Sequence, residues 1–353
     1  MHNLLKGLKV VDLSSVLAGP LVSSFLGELG ASVLKIEKPS GDVTRSWRTT
    51  RESPTGQSAY YSSANWAKSV EYLDLGSEKD NAKCKSLIQA ADIVISNFLP
   101  EQAAKLRMTY IEHARSHPGL IFCELWGYSK DPSRRAYDAV LQAETGWMSI
   151  NGDGQSGPLK VPVALVDIFA AHHMKQAILL ALLKREKTGA GAHIKCSLEA
   201  SAFSNLANQA SNALMNDTDS VLRGSLHPNI APYGETFKCA DGKQVILAVG
   251  SNNQFESLCQ VLDLPEVVAN PNFSSNQLRV NHRADLQSHL ASAISKWQSS
   301  ELFSKLDQAN VPMGIVRQLS EAMASASSQN LVIEEVVDGV ATKRITSLPF
   351  QTA

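Results

Sequence analysis

The first hundred residues alternate short β-branched runs with helix-like segments, and this alternation constrains the fold more than any other feature of the chain. Residues 8–14 (LKVVDLS) read as a strand, 21–30 (LVSSFLGELG) as a helix and 32–38 (SVLKIEK) as the next strand. Strand, helix and strand so closely spaced form a βαβ unit, whose two strands must lie parallel. Gly30 suits the left-handed position just past a helix end. A second unit follows, with a helix over 78–91 and strands over 92–98 and 119–127. The expected architecture is α/β, a Rossmann-like doubly wound sheet.

Residues 167–186 (DIFAAHHMKQAILLALLKRE) predict a helix that is apolar around much of its circumference and so belongs inside the fold. A strand is expected over 192–198 and one long helix over 199–216. Prolines and polar residues then crowd into 217–232, which marks a domain boundary. Beyond it, Asp241 and Gly242 supply the turn of a hairpin. Helical patterns over 253–264, 282–297 and 300–310 complete a smaller α+β domain over 225–320, and 321–330 (EAMASASSQN) reads as a mobile linker.

Several chemistries are excluded by missing spacing: there is no GxGxxG after the first strand, no P-loop, no GxSxG and no HExxH. A net charge of −1 offers no general attraction for nucleic acid or an anionic membrane, so any bound anion must be held by local groups. The longest apolar run, 177–183, is far short of the ~20 residues that span a membrane, so no membrane segment is expected. Five scattered cysteines without ligand spacing fit a reduced, cytoplasmic setting with no metal. Asp12 interrupts the early apolar run, so a signal peptide is not expected.

The first βα turn, residues 14–20 (SSVLAGP), lies where open α/β sheets place ligands, with backbone N–H groups available to an anion or polar edge. Lys35, Lys38 and Arg45 cluster at the end of the second strand on the same side. Asp167 opens the apolar helix, where an aspartate serves first of all as an N-cap.

Taken together, several stretches resemble the family III, or CaiB/BaiF-type, CoA-transferases from about residue 5 to about 325. They are 5–45, 91–100 (ADIVISNFLP), 136–146 (AYDAVLQAETG), 162–198, 227–242 and 306–316. The resemblance implies that Asp167 is the nucleophile, where a strand gives way to the helix, and that the helix dipole keeps it ionised. It places CoA contacts on Val16, Leu17, Ala18, Lys38, Leu73, Asn97, Phe98, Lys105, Leu106, Arg135, Tyr137 and Asp138. CoA and acyl-CoA would be substrates, with a free carboxylic acid as acceptor and no tightly bound cofactor. It further implies an interlocked homodimer and a large domain over 1–216 completed by a returning segment, 326–353. The chain departs from the family pattern at Leu99, Glu101 and Gly76, and it stops at RITSLPFQTA, before the usual Gly-Glu-His-Thr-like stretch.

The implied reaction moves CoA from an acyl-CoA to the acid through a mixed anhydride and an aspartyl-CoA thioester. A 2-methylacyl-CoA racemase of the same fold would need a proton-transferring histidine where this chain has Tyr137. A catalytically silent acyl-CoA binding protein is the third reading, and retention of Asp167 counts against it. Ser15 and Leu17 differ from the polar pair expected of an oxalate and formate enzyme, so other acids are expected.

Overall fold

The strand β1 (Lys9–Asp12) carries Val10 and Val11 on opposite faces, and both are buried, because a parallel strand is covered on each side. It pairs in parallel with β2 (Ser32–Glu37), which pairs with β3 (Ser69–Tyr72). On its other side lies β4 (Ile93–Ser96), followed by β5 (Ile121–Trp126) and β6 (Ala192–Ser197), again all parallel. The order is therefore β3-β2-β1-β4-β5-β6, and the winding reverses between β1 and β4. The computed structural model describes residues 3–216, 221–337 and 340–350.

The period-two alternation sorts residues into two cores. Val10, Val33, Ile93, Ile95, Ile121 and Cys123 face α1 (Ala18–Glu28) and the long helix described below. Val11, Ile36, Val94 and Phe122 face the other way, against α2 (Glu78–Gln89) and the turn after α3 (Pro100–Leu106), where Met108 is buried. Gly30 ends the α1 turn at φ +98, as its position in the sequence requires. The helix α4 (Asp138–Glu144) leads to α5 (Leu165–Thr188).

By length and composition α5 could cross a membrane, a possibility that the length of its uninterrupted apolar run had not raised. Its Val166, Ala170, Ala171, Met174, Ile178 and Ala181 are buried in the core beside α1. Leu179, Leu180 and Leu183 remain exposed.

The described residues of Met1–Trp147, Lys160–Asp219 and Gln329–Ala353 form one unit, and those of Met148–Leu159 and Ser220–Ser328 form the second. The second unit holds an antiparallel sheet of β7 (Tyr233–Lys238), β8 (Gln244–Ala248) and β9 (Met313–Ile315). Gly242 turns the β7–β8 hairpin at φ +80. Helices Asn252–Val261, Arg283–Ile294 and Ser299–Gln308 cover the sheet with Phe255, Leu258, Leu286, Leu290 and Leu302. A hairpin, β10 (Val332–Val337) with β11 (Val340–Ile345), belongs to the first unit.

Two expectations need correction. The helix expected over 199–216 is two helices, Leu198–Ser204 and Ala207–Asn216, because Ala207 is left-handed at φ +48 and breaks the run. The stretch 321–330 is not an open linker. It contains parts of two short helices, and the Ser328 hydroxyl donates to the carbonyls of Ala322 and Met323, both at 2.9 Å. Residues 217–220, at the start of the expected boundary, lie outside the described residues, as do 338, 339 and 351–353 of the returning segment.

Candidate active site

Between β1 and α1 the chain turns through residues 13–17, and side chains of the same unit occupy its backbone. The N–H of Ser14 donates to Asp12 at 2.9 Å, that of Ser15 to Asn97 at 3.2 Å and that of Val16 to Asp42 at 3.3 Å. Lys35 donates to the Ser14 carbonyl at 2.8 Å and Asn97 to the Ser15 carbonyl at 3.1 Å. Residues 14–16 therefore cannot offer their N–H groups to an anion, contrary to expectation. The start of α1 can, because no side chain caps it and its first turn carries no acidic residue. Gly19 is required there, since a Cβ would come within 2.2 Å of the Ser14 hydroxyl.

Beneath this turn lies a buried network of Asp12, Lys35, Asp42 and Lys68. Lys68 reaches Asp12 at 3.0 Å and Lys35 reaches Asp42 at 3.1 Å. Burial opposes charge on Asp12, yet Lys68, Lys35 and the hydroxyls of Ser14 and Ser23 hold its carboxyl far below the usual range. Lys35 is thus a buried structural cation. Arg45, similarly, is tied to Glu37 at 2.7 Å and lies over the Tyr61 ring. Of the basic cluster after β2, only Lys38 is left exposed.

The loops after β1, β2, β4 and β5 converge on a cavity of about 560 Å³ at the reversal of strand order. Its lining includes Val16, Leu17, Ala18, Lys38 and Leu73 on one side, and Asn97, Phe98 and Leu106 on another. Arg135, Tyr137, Asp138 and Asp167 complete it, so twelve of the thirteen residues anticipated from sequence share one space. Lys105 does not line it, being exposed on the last turn of α3. Arg134, next to Arg135, pairs with Glu144 and stacks on Tyr128 at 4.1 Å.

Asp167 is the third residue of α5, not its cap; the N-cap is Ala164, and no strand runs directly into the helix. The cap function comes from elsewhere in the sequence. Asp138 accepts the Val166 N–H at 2.8 Å and the Gln142 side-chain amide at 2.7 Å, while Gln142 in turn accepts the Val161 N–H at 2.8 Å. Among the described residues the Asp167 side chain has no hydrogen-bond partner. Burial, with the negative charge of Asp138 added, pushes its carboxyl up to about 7. These effects outweigh the helix dipole that was expected to keep it ionised.

CoA-transferase family III matches residues 5–352. The chain belongs to this family. It is 33% identical to a succinate–glutarate CoA-transferase of Agrobacterium fabrum, with 97% of this chain and 89% of the relative aligned. It is 32% identical to a human succinyl-CoA:glutarate CoA-transferase, over 92% of this chain and 74% of the relative. A CaiB/BaiF family protein from Brucella suis, known as a crystal structure, superposes with a TM-score of 0.86 at 32% identity, covering 100% of this chain and 94% of that one.

In a family III CoA-transferase an unpartnered carboxylate that lines the same cavity as a free helix N-terminus has the chemistry of a nucleophile with donors for a developing oxyanion in that cavity. Tyr60 does not line the cavity but feels its charges: burial raises its hydroxyl pKa, and Asp167, Asp138 and Asp42 raise it further. Its ring and that of Trp47 meet in a T-shaped arrangement with centroids 5.1 Å apart. No motif marks Tyr60, whereas Asp42 was detectable: an aspartate two residues before Thr44 is a local cap pattern.

Proposed function

We propose that this CoA-transferase carries CoA from a dicarboxylic acyl-CoA, of the succinyl type, to a second dicarboxylate of similar length. The observation that carries the reading is the unpaired Asp167 carboxylate in the cavity at the strand-order reversal. The choice of acids is supported by relatives named for succinate, glutarate and mesaconate.

Ionised Asp167 attacks the thioester carbonyl, the C–S bond breaks, and CoA thiolate leaves a mixed anhydride on the protein. The thiolate then attacks the aspartyl carbonyl, the donor carboxylate departs, and an aspartyl-CoA thioester remains. The acceptor carboxylate attacks that thioester to form a second anhydride and thiolate. Attack of the thiolate on the acceptor acyl carbon releases the new acyl-CoA and restores the carboxylate. Each exchange keeps one activated acyl bond, so no nucleotide is hydrolysed. The free N–H groups of α1 supply donors for the oxyanions.

Trapping tests this reading. With succinyl-CoA and no acceptor, hydroxylamine should leave a hydroxamate on Asp167 alone, found by peptide mapping. Asp167→Asn should lose the adduct and transfer while still binding CoA. A label on another residue, or transfer by Asp167→Asn near the wild-type rate, would falsify the mechanism; transfer only to monocarboxylates would overturn the choice of acids.

A further inference from the structure

We infer that Asp42 is a positioning residue for the CoA-binding turn, holding Val16 in a backbone conformation that valine does not adopt unaided. Val16 lies at φ +73. For a β-branched side chain this is an outlier, because Cβ crowds its own backbone there and only glycine enters the region freely. Such a conformation persists only where surrounding bonds impose it, and ligand clamps are where it concentrates. Here the bonds can be named. The Val16 N–H donates to Asp42, while Asn97 fixes the preceding Ser15 by both N–H and carbonyl.

Asp42 acts on the turn and has no capacity left for a ligand. One carboxylate oxygen accepts the N–H and hydroxyl of Thr44, at 3.0 and 2.8 Å. The other accepts Val16 N–H at 3.3 Å and faces Lys35 Nζ at 3.1 Å. Four donors fill the roughly four acceptor sites of a carboxylate. Lys35, fully buried, also grips the Ser14 carbonyl at 2.8 Å, so the pair joins β2 to both ends of the turn. Burial works against the charge of Asp42, but Lys35 and the Thr44 donors outweigh it and keep the carboxyl below its ordinary range. The anchor is therefore permanently charged at working pH. Val16, Leu17, Ala18 and Asp42 all line the cavity, so the bond from Val16 to Asp42 helps set the shape of that wall.

The inference rests on the turn being part of the CoA site, and a double-mutant cycle with free CoA, read by calorimetry, tests it. In the Val16 background, Asp42→Asn should weaken CoA binding roughly 10-fold or more. In the Val16→Gly background the same change should cost less than about 3-fold, whatever Val16→Gly does by itself, because glycine needs no anchor to stay at positive φ. In turnover, Asp42→Asn should raise KM for acyl-CoA, and Val16→Gly should suppress most of that rise. Equal losses in both backgrounds, or no loss in the first, overturn the inference.

If Asp42→Asn does not fold, ligand-free thermal stability decides. It should rise in the order Val16, Val16→Asn, Val16→Gly, following tolerance of positive φ, and a fall at glycine overturns the inference. Should the wild-type protein itself fail to bind CoA, the functional reading is what falls, and the stability series still reports on Val16.

Discussion

Asp167 is held in an environment that makes it a poorer anion than an ordinary aspartate, and this has a measurable sign. Its carboxyl is pushed from 3.8 up to about 7, first by burial and then by Asp138. Below about pH 4 it is protonated in both folded and unfolded chains and costs nothing; between about pH 4 and 7 the unfolded chain loses its proton more readily, so the native state loses stability as pH rises. Asp167→Asn should therefore raise the melting temperature at about pH 8 and leave it unchanged at about pH 4. A gain at both, or at neither, would show that the carboxyl titrates normally. The same shift predicts that the rate of acyl transfer to the protein climbs through about pH 7, as the nucleophile ionises, and then levels. Its candidacy came from the family resemblance, because the residues around it read locally only as the start of an apolar helix. Its lowered acidity was not legible in the sequence, because the charge that helps produce it belongs to Asp138, 29 residues away in the chain.

At the level of elements, α5 begins without a cap of its own, since Ala164 has no side chain to accept a backbone N–H. Asp138 and Gln142, one turn apart on α4, substitute for it by accepting Val166 and Val161. Gln142 is fully buried, so Gln142→Ala leaves the buried Asp138 carboxylate without one donor, at ~1–3 kcal/mol, and frees the half-buried Val161 N–H. The protein should lose a comparable part of its unfolding free energy in denaturant titration. Single-turnover transfer at saturating acyl-CoA should fall by about 10-fold or more, because the clamp fixes the entry to α5 and with it Asp167. Unchanged single-turnover rates would mean that the entry to α5 is rigid without it. Helices and strands with a clear period were read from the sequence within a few residues, β1, β2 and α5 among them. The break at Ala207 escaped because a lone left-handed alanine leaves no mark in composition. The cap of α5 escaped because it is formed by tertiary contact and not by adjacent residues.

For the whole molecule, the arrangement of loops around the β1–β4 reversal followed from βαβ alternation, but what covers the outer face of the large unit did not. Leu180 is 67% exposed on α5, and Leu214 and Met215, on the helix Ala207–Asn216, are 85% and 84% exposed. Scattered exposed apolar side chains are ordinary on a soluble surface, but two nearly bare ones side by side on a helix with no buried residue are not. We propose that a second copy of this chain covers them, in the interlocked homodimer that the family resemblance implies. Chains that thread one another cannot separate without local unfolding, so dissociation would be slow and independent of dilution, unlike that of a surface-docked pair. Sedimentation at nanomolar concentration should then show a dimer and no folded monomer. Leu214→Glu with Met215→Glu should block assembly during refolding but leave an already formed dimer intact when diluted. A folded, active monomer from either preparation would refute the interlocked arrangement and leave the apolar surface of Ala207–Asn216 without its proposed cover.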